Sequence, residues 1–303
     1  MTIGVTLAAS HPHNYIDAIV DKARKAAELG VKSAWFGQRS DYDSPALAGI
    51  VGREVPGLHV GTSAIPVVGR HPLEVAVAAR TAQAATHGRY HLGLAVGHAI
   101  GAKAFGAPFD RPIALLREFL TSLRSLLETG TADHHGELLT VAPWAPGDLA
   151  GAEPVPPVLV AAMGPQALRV TGELADGILP NLAGPKALGE HIVPDLTKAA
   201  AKPQRVVAYL PGVVTSDVDT ARENAVRQLS FYEGIPSYQR VLELEGAQRA
   251  ADLAVIGDEE TVAARIKQYF DAGATEVVLS QTDLAGEADQ LRTFKLLGEL
   301  SVN

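Results

Sequence analysis

The sequence predicts an α/β fold, specifically a (β/α)8 barrel with loop insertions. Three observations lead there. Short β-branched or apolar runs alternate with amphipathic stretches along the 303 residues, the pattern of a parallel sheet covered by crossover helices. Eight such runs can be placed, enough to close a barrel. An open doubly wound sheet would need a G-x-G-x-x-G turn after its first strand, and here that strand ends in Ala8-Ala9-Ser10-His11-Pro12 without a glycine. Barrels of this length are routinely one domain, so residues 1–303 are expected to form one.

The first strand is expected over residues 3–8, after which Asn14 caps a helix that stops at Gly30. The second strand covers 33–36, followed by Ser44-Pro45 as an N-cap with proline behind it. The third covers 58–67, and His71-Pro72 opens the next helix. The fourth, 90–96, leads through a glycine turn to a long helix over 111–129. Residues 130–157 are rich in Gly, Pro and Ala and lack a helical period. They read as an irregular insertion passing over the barrel mouth, with a small hairpin around 138–141. The fifth strand is 158–162, the sixth lies near 177–179, and a helix follows that ends near 201. The seventh is 206–214, with Ser216 capping the helix after it. Residues 234–252 read as a second irregular insertion, Asp258 caps another helix, and 276–280 is the eighth strand. An internal echo supports the count: 28–36 and 271–279 each present a helix end, a glycine, a polar link and a buried strand.

Composition narrows the function. The net charge of −8 and the absence of any Lys/Arg run disfavour nucleic acid or an anionic membrane as partner. With no cysteine, a disulfide framework, a thiolate nucleophile, an iron–sulfur cluster and a Cys-type zinc site are excluded. No uncharged apolar run reaches about 18 residues, and Met1-Thr2-Ile3-Gly4-Val5 enters a strand directly, so a cytoplasmic protein is expected. The histidines His11, His13, His134 and His135 show no H-E-x-x-H spacing, no serine sits in G-x-S-x-G, and Asp258-Glu259-Glu260 reads as a capped helix start. No metal site is expected.

In such a barrel the chemistry sits just after strand ends. Four places stand out. Gly61-Thr62-Ser63-Ala64-Ile65-Pro66 puts small residues within a buried strand, which suits a bulge, a flat ligand or simple tight packing. Val96-Gly97-His98 allows a sharp turn and offers an imidazole that can donate and accept, though a lone histidine is as often structural. Ala162-Met163-Gly164-Pro165-Gln166-Ala167 opens a helix and presents unpaired N–H groups to an anion, as an ordinary helix start also would. Asp176, before Gly177, reads as a structural cap for its loop.

Taken together and in order, these segments resemble the luciferase-like monooxygenase superfamily, most closely its branch of oxidoreductases dependent on the deazaflavin coenzyme F420. The resemblance runs over almost the whole chain. It includes Arg70-His71-Pro72, Gly88-Arg89 with Leu92-Gly93, Phe105-Gly106, Phe109-Asp110-Arg111-Pro112, Pro236-Ser237-Tyr238 and Asp271-Ala272-Gly273-Ala274-Thr275. It implies a tricyclic ring held against a bulge after the third strand, at Ser63, Ala64 and Ile65, with a non-prolyl cis peptide mapping to Ser63-Ala64. It also implies a phosphate-binding turn over Ala162, Met163, Gly164, Pro165, Gln166 and Ala167, with Val96, Gly97 and His98 at the ring edge. Homodimers are common in the superfamily, so one is expected. Some members place an Asp-His pair after the second strand and a glutamate after the fourth. Here Phe36-Gly37-Gln38-Arg39-Ser40-Asp41 and His98 stand instead, which removes support for a sugar-phosphate dehydrogenase. FMN-using luciferases often carry an arginine near the fourth turn, where this chain has Val96 and Gly97.

The activity so implied is hydride transfer between F420 and a small unsaturated or carbonyl-bearing organic substrate, with the redox chemistry belonging to the cofactor. His98 is the expected general acid, Gln38 and Asp41 the substrate-side contacts, and the 130–157 segment with Trp144 a lid. Two other readings stand beside it: an FMN-dependent monooxygenase with oxygen and a partner reductase, and a non-catalytic flavin or deazaflavin carrier.

Overall fold

Strands covered by helices on one side and packed on a barrel core on the other have no wet face, and these strands carry that signature. Ser33–Phe36 and Glu276–Ser280 are buried at every position, as is Arg205–Val214 after its first residue. The computed structural model describes residues 1–10, 12–143 and 147–302. Its barrel strands are Thr2–Thr6, Ser33–Phe36, His59–Thr62, Tyr90–Ala95, Val158–Ala161, Gly177–Ile178, Arg205–Val214 and Glu276–Ser280. All pair in parallel; the last pairs with the first, and the sixth closes onto the seventh through Gly177 opposite Arg205. This is the expected (β/α)8 barrel.

Local signals explain most of the helices. Asn14 accepts from the amides of Ile16 and Asp17 ahead of Tyr15–Glu28, and Gly30 leaves that helix at φ +97°. His71 caps Pro72–Ala85 through Nδ1, and Gly130 ends Pro112–Thr129 in the left-handed region. Two caps fall one residue from where the sequence puts them. Asp43 rather than Ser44 caps Ser44–Glu54, and Asp217 rather than Ser216 caps Val218–Glu233, because in each case the carboxylate reaches an amide in the first turn.

Larger departures occur where the chain leaves the sheet. The third strand is broken: His59–Thr62 ends, the Ser63–Ala64 peptide is cis, and pairing resumes at Ile65–Pro66. Thr62 bridges the gap, its hydroxyl donating to Gly93 O and accepting from Gly93 N at 2.9 and 2.8 Å. The fourth strand is followed by an unanticipated short helix, Ala99–Ala104. After the sixth strand the helical stretch ends at Ala199 and carries a π turn over Leu188–Ile192. Residues 234–252 are mostly helical, with Pro236–Glu245 and the 3-10 turn Ala250–Leu253. An extra strand, Val255–Gly257, pairs with the far end of the seventh.

The described residues of the 130–157 insertion reach the loop after the third strand, where Leu138 and Leu139 lie beside Val67 to Arg70, but none lines the cavities that hold the ends of the fourth and fifth strands. Its hairpin, His134–His135 against Thr140–Val141, buries Val141 in the main core, and Thr140 O is taken by His71 Nε2 at 3.0 Å. Arg80 then binds Gly147 O and the carbonyls of Leu126 and Leu127, and Gln83 binds Pro154 O. Three of its described carbonyls, those of Thr140, Gly147 and Pro154, are thus taken by side chains at or in a neighbouring helix rather than by a helix of its own, in keeping with the missing period. Trp144 lies outside the described residues. No described helix is long and apolar enough to cross a membrane.

The barrel interior is layered. At the floor, Glu276 accepts from Ser33 Oγ, Trp35 Nε1 and Arg205 Nη2 at 2.5, 3.0 and 2.9 Å. Arg205 Nη1 meets His91 Nδ1 at 2.8 Å, and His91 Nε2 meets His59 Nδ1 at 3.3 Å. Above lie Trp35, Leu159, Leu179, Val207, Tyr209 and Val278. A Cβ on Gly61 would stand 2.4 Å from the Trp35 ring, so the space that Gly61 leaves is filled by indole and not by a ligand.

Candidate active site at the barrel mouth

Two cavities of about 400 and 690 Å³ open at the C-terminal ends of the strands. They share Ala95, Ala161, Leu179, Asn181 and Tyr238, so they form one depression with two halves. In the smaller half Ala64, from the break in the third strand, joins Ala95 and Ala161, the last residues of the fourth and fifth strands, in a wall of methyl groups.

One half carries the ends of the fourth and fifth strands. Val96, Gly97 and His98 line it, as do all six residues from Ala162 to Ala167. Gly97 turns at φ +93° with Val68 packed beneath it. Gly164 precedes the helix Pro165–Leu174 with no side-chain cap, so the first-turn amides of Gln166 and Ala167 have no side-chain acceptor. His98 is exposed and caps Ala99–Ala104, its Nδ1 accepting from Gly101 N at 3.1 Å. In a neutral ring that places the proton on Nε2. Tyr238, from the Pro236–Glu245 helix, accepts from Asn181 at 3.1 Å, and burial, reinforced by Tyr232, pushes its phenol up to about 12.

The other half is built on the ends of the first, second, seventh and eighth strands. Arg39 lines it and lies over the rings of Tyr15 and Tyr42 at 5.6 and 5.7 Å; those rings stack at 5.4 Å. Deeper, Tyr209 and Ser280 are each 5% exposed, and neither Tyr209 Oη nor Ser280 Oγ has a hydrogen-bond partner. Ser63 approaches Tyr209 without forming a proper bond, and burial holds the phenol protonated well above its ordinary range.

The structure thus gathers Ser63, Ala64, Val96, Gly97, His98 and Ala162 to Ala167 at one mouth. It does not bring three other expected residues there. Ile65 is buried in the core, because pairing resumes at that residue and turns its side chain inward. Gln38 is consumed by its own loop: Nε2 donates to the carbonyls of Arg39 and Tyr42, and Oε1 accepts from Ser44 N and Oγ. Asp41 grips Arg39 through two bonds of 2.9 and 2.7 Å. Sequence reasoning missed Arg39, Asn181, Tyr209 and Ser280. The strand-end rule, applied to the seventh and eighth strands as it was to the third to fifth, points to Ser280 and to the inward positions below it.

The model of the luciferase-like monooxygenase family matches residues 1–276, from the first strand to the start of the eighth. The chain belongs to the luciferase-like monooxygenase family. It is therefore a luciferase-like oxidoreductase. A relative within reach of this family member is the 5,10-methylenetetrahydromethanopterin reductase of Methanolobus tindarius, 22% identical over 92% of this chain and 93% of its own. The coenzyme F420 dependent tetrahydromethanopterin reductase from Methanopyrus kandleri shares the fold with a TM-score of 0.81 at 22% identity, covering 99% of this chain and 98% of that one. The oxygenating constituent of 3,6-diketocamphane monooxygenase from Pseudomonas putida, in complex with FMN, shares it at 0.76 and 15% identity, covering 99% and 97%.

Proposed function

We propose that this luciferase-like protein transfers a hydride between coenzyme F420 and a small unsaturated or carbonyl-bearing organic substrate. The observation that carries the reading is the continuous depression, methyl-walled in one half and ending at an uncapped helix start. A flat ring needs a wall without projecting side chains, which Ala64, Ala95 and Ala161 supply. An anionic tail needs unpaired amides, which Gln166 and Ala167 supply with the Gly164 turn. The residues present therefore fit a ring-and-phosphate cofactor. When bound there, the deazaflavin supplies or accepts the hydride. The protein's part is placement: Val96 and Gly97 border the ring edge, and His98, with Nε2–H free of its capping duty, relays a proton between solvent and the site.

The two reductases compared above are named for methanopterin chemistry, and the Methanopyrus enzyme for F420 dependence, which supports the deazaflavin. The FMN-bound neighbour gives the alternative its specific ground. Fluorescence titration of the purified chain with each cofactor separates them. F420 is expected to bind in the micromolar range or tighter while FMN binds at least tenfold more weakly (about 1.4 kcal/mol). Tight FMN binding with none for F420 overturns the reading in favour of the monooxygenase. F420 binding without hydride exchange to any of a panel of enones, imines and ketones would make it a carrier.

A further inference from the structure

Where the third strand leaves its ladder, one side-chain hydroxyl takes the place of the missing backbone partners. We infer that Thr62 is a positioning residue for the cofactor ring: its hydroxyl fixes how far Ala64 stands into the mouth. The inference rests on the reading above only in giving the alanine wall to a bound ring, and it needs no contact between Thr62 and that ring.

Three observations carry it. First, the register changes by one residue across the break. Gly61 lies opposite His91 before it and Ile65 opposite Leu94 after it, so Thr62, Ser63 and Ala64 face only Leu92 and Gly93. Without the extra residue every later side chain would turn to the other face, and Ile65 and Val67 would leave the core. Second, the break would strip Gly93 of partners. Leu92 N bonds Pro157 O on the far side, so alternation along the strand turns the N–H and C=O of Gly93 toward the third strand. Thr62 Oγ1 takes both, at 2.8 and 2.9 Å, and Thr62 is 0% exposed, so solvent cannot stand in for the hydroxyl. Third, Ala64 hangs between fixed points. Ser63 N is held by Phe36 O and Val67 N by Ala95 O, each at 2.8 Å, while Ala64 lines the mouth. A Cβ on Gly93 would run into Thr62 O, so the two strands already touch here and the hydroxyl sets their spacing. Losing it leaves two buried backbone groups unpaired, and the strands must shift to repair them. The wall moves with that shift, and a rigid flat ring is sensitive to displacements well under 1 Å.

The test is a graded series on the full chain. Thr62→Ser keeps the hydroxyl, Thr62→Cys puts a longer and weaker thiol in its place, and Thr62→Val keeps the shape without it. Each variant is titrated with F420 and with FMN by fluorescence, and visible circular dichroism of the bound ring reports its asymmetric contacts. The serine variant is expected to bind within about twofold of the wild type with the same dichroism. The valine variant is expected to bind roughly tenfold more weakly with altered dichroism, and the cysteine variant to fall between. A residue that only stabilised the barrel would lower the thermal midpoint of the valine variant and leave both cofactor readouts unmoved in the folded protein. Unchanged affinity and dichroism in that variant therefore overturn the inference; if it does not fold, the cysteine variant decides by the same criterion. A serine variant as weak as the valine variant assigns the loss to side-chain volume and overturns it as well. Binding of FMN alone defeats the proposed function and leaves this comparison to be read with FMN, whereas binding of neither cofactor defeats both.

Discussion

At the scale of single residues, close packing and chemistry compete for the same small side chains. Gly61 is such a position: the missing Cβ makes room for Trp35, so Gly61→Ala forces the indole or the strand to move. The expected cost is about 1–3 kcal/mol in a urea unfolding experiment, with F420 affinity little changed. His98 caps a helix, and the proposed function also gives it a proton relay; two substitutions separate these roles. Asn keeps an acceptor for the Gly101 amide and removes the imidazole; Ala removes both. If the ring relays a proton, turnover falls by about 100-fold in both variants while F420 affinity is retained. Recovery in His98→Asn alone assigns the residue to capping. The strand-end glycines and the uncapped turn were readable from sequence because backbone requirements leave glycine and proline at fixed places. Tyr209 was not, since nothing in an apolar run distinguishes a ring that lines a cavity from one packed in the core, as at Tyr90.

At the scale of elements, Asp176 ties three of them. It accepts from Val158 N and Arg124 at 2.8 Å each and from Lys202 at 2.5 Å, joining the start of the fifth strand to the helix before it and the loop ahead of the seventh. Burial works against its ionisation, but Lys202, the Val158 amide and Arg124 outweigh it and hold the carboxyl below its ordinary value. The structural role expected for it fits this geometry. Asp176→Asn keeps an acceptor and loses the charge, and is expected to cost about 1–3 kcal/mol in denaturant unfolding, with the mouth unaffected. The same scale shows why the segment 234–252 looked irregular. Pro236 and Gly246 bracket only ten helical residues, and that punctuation reads as loop when the helix is short. Its side chains nevertheless reach the mouth, through Tyr238, so it does contribute to the site.

At the scale of the whole molecule, the barrel was legible because its strands are buried on both faces and so appear as unbroken apolar runs. The polar floor was not, since its members start strands far apart in sequence and look like ordinary boundary residues. Burial, then Arg205 and His59, lower the pKa of His91 to about 3, and burial lowers that of His59. An unfolded histidine titrates near about 6.5. Between those values the unfolded chain takes up a proton that the native floor refuses, so stability is full above about 6.5 and is lost as the pH falls toward 3. The slope contributed by His91 is at most about 1.4 kcal/mol per pH unit. Thermal midpoints should therefore drop steadily on acidification through this window. His91→Gln, which can still accept from Arg205 and donate to His59, should flatten the drop.

Trp35 sits between that floor and the mouth, 1% exposed, its indole N–H held by Glu276 and its ring 6.1 Å from Tyr209. The chain has only one other tryptophan, Trp144, so Trp144→Phe leaves a single emitter beneath the site. Light absorbed there has a chromophore within a few side chains whenever a coloured ring occupies the alanine wall, and resonance transfer should dim the indole in proportion to occupancy. The barrel thus carries its own optical gauge, able to time the arrival and departure of any coloured guest without a label.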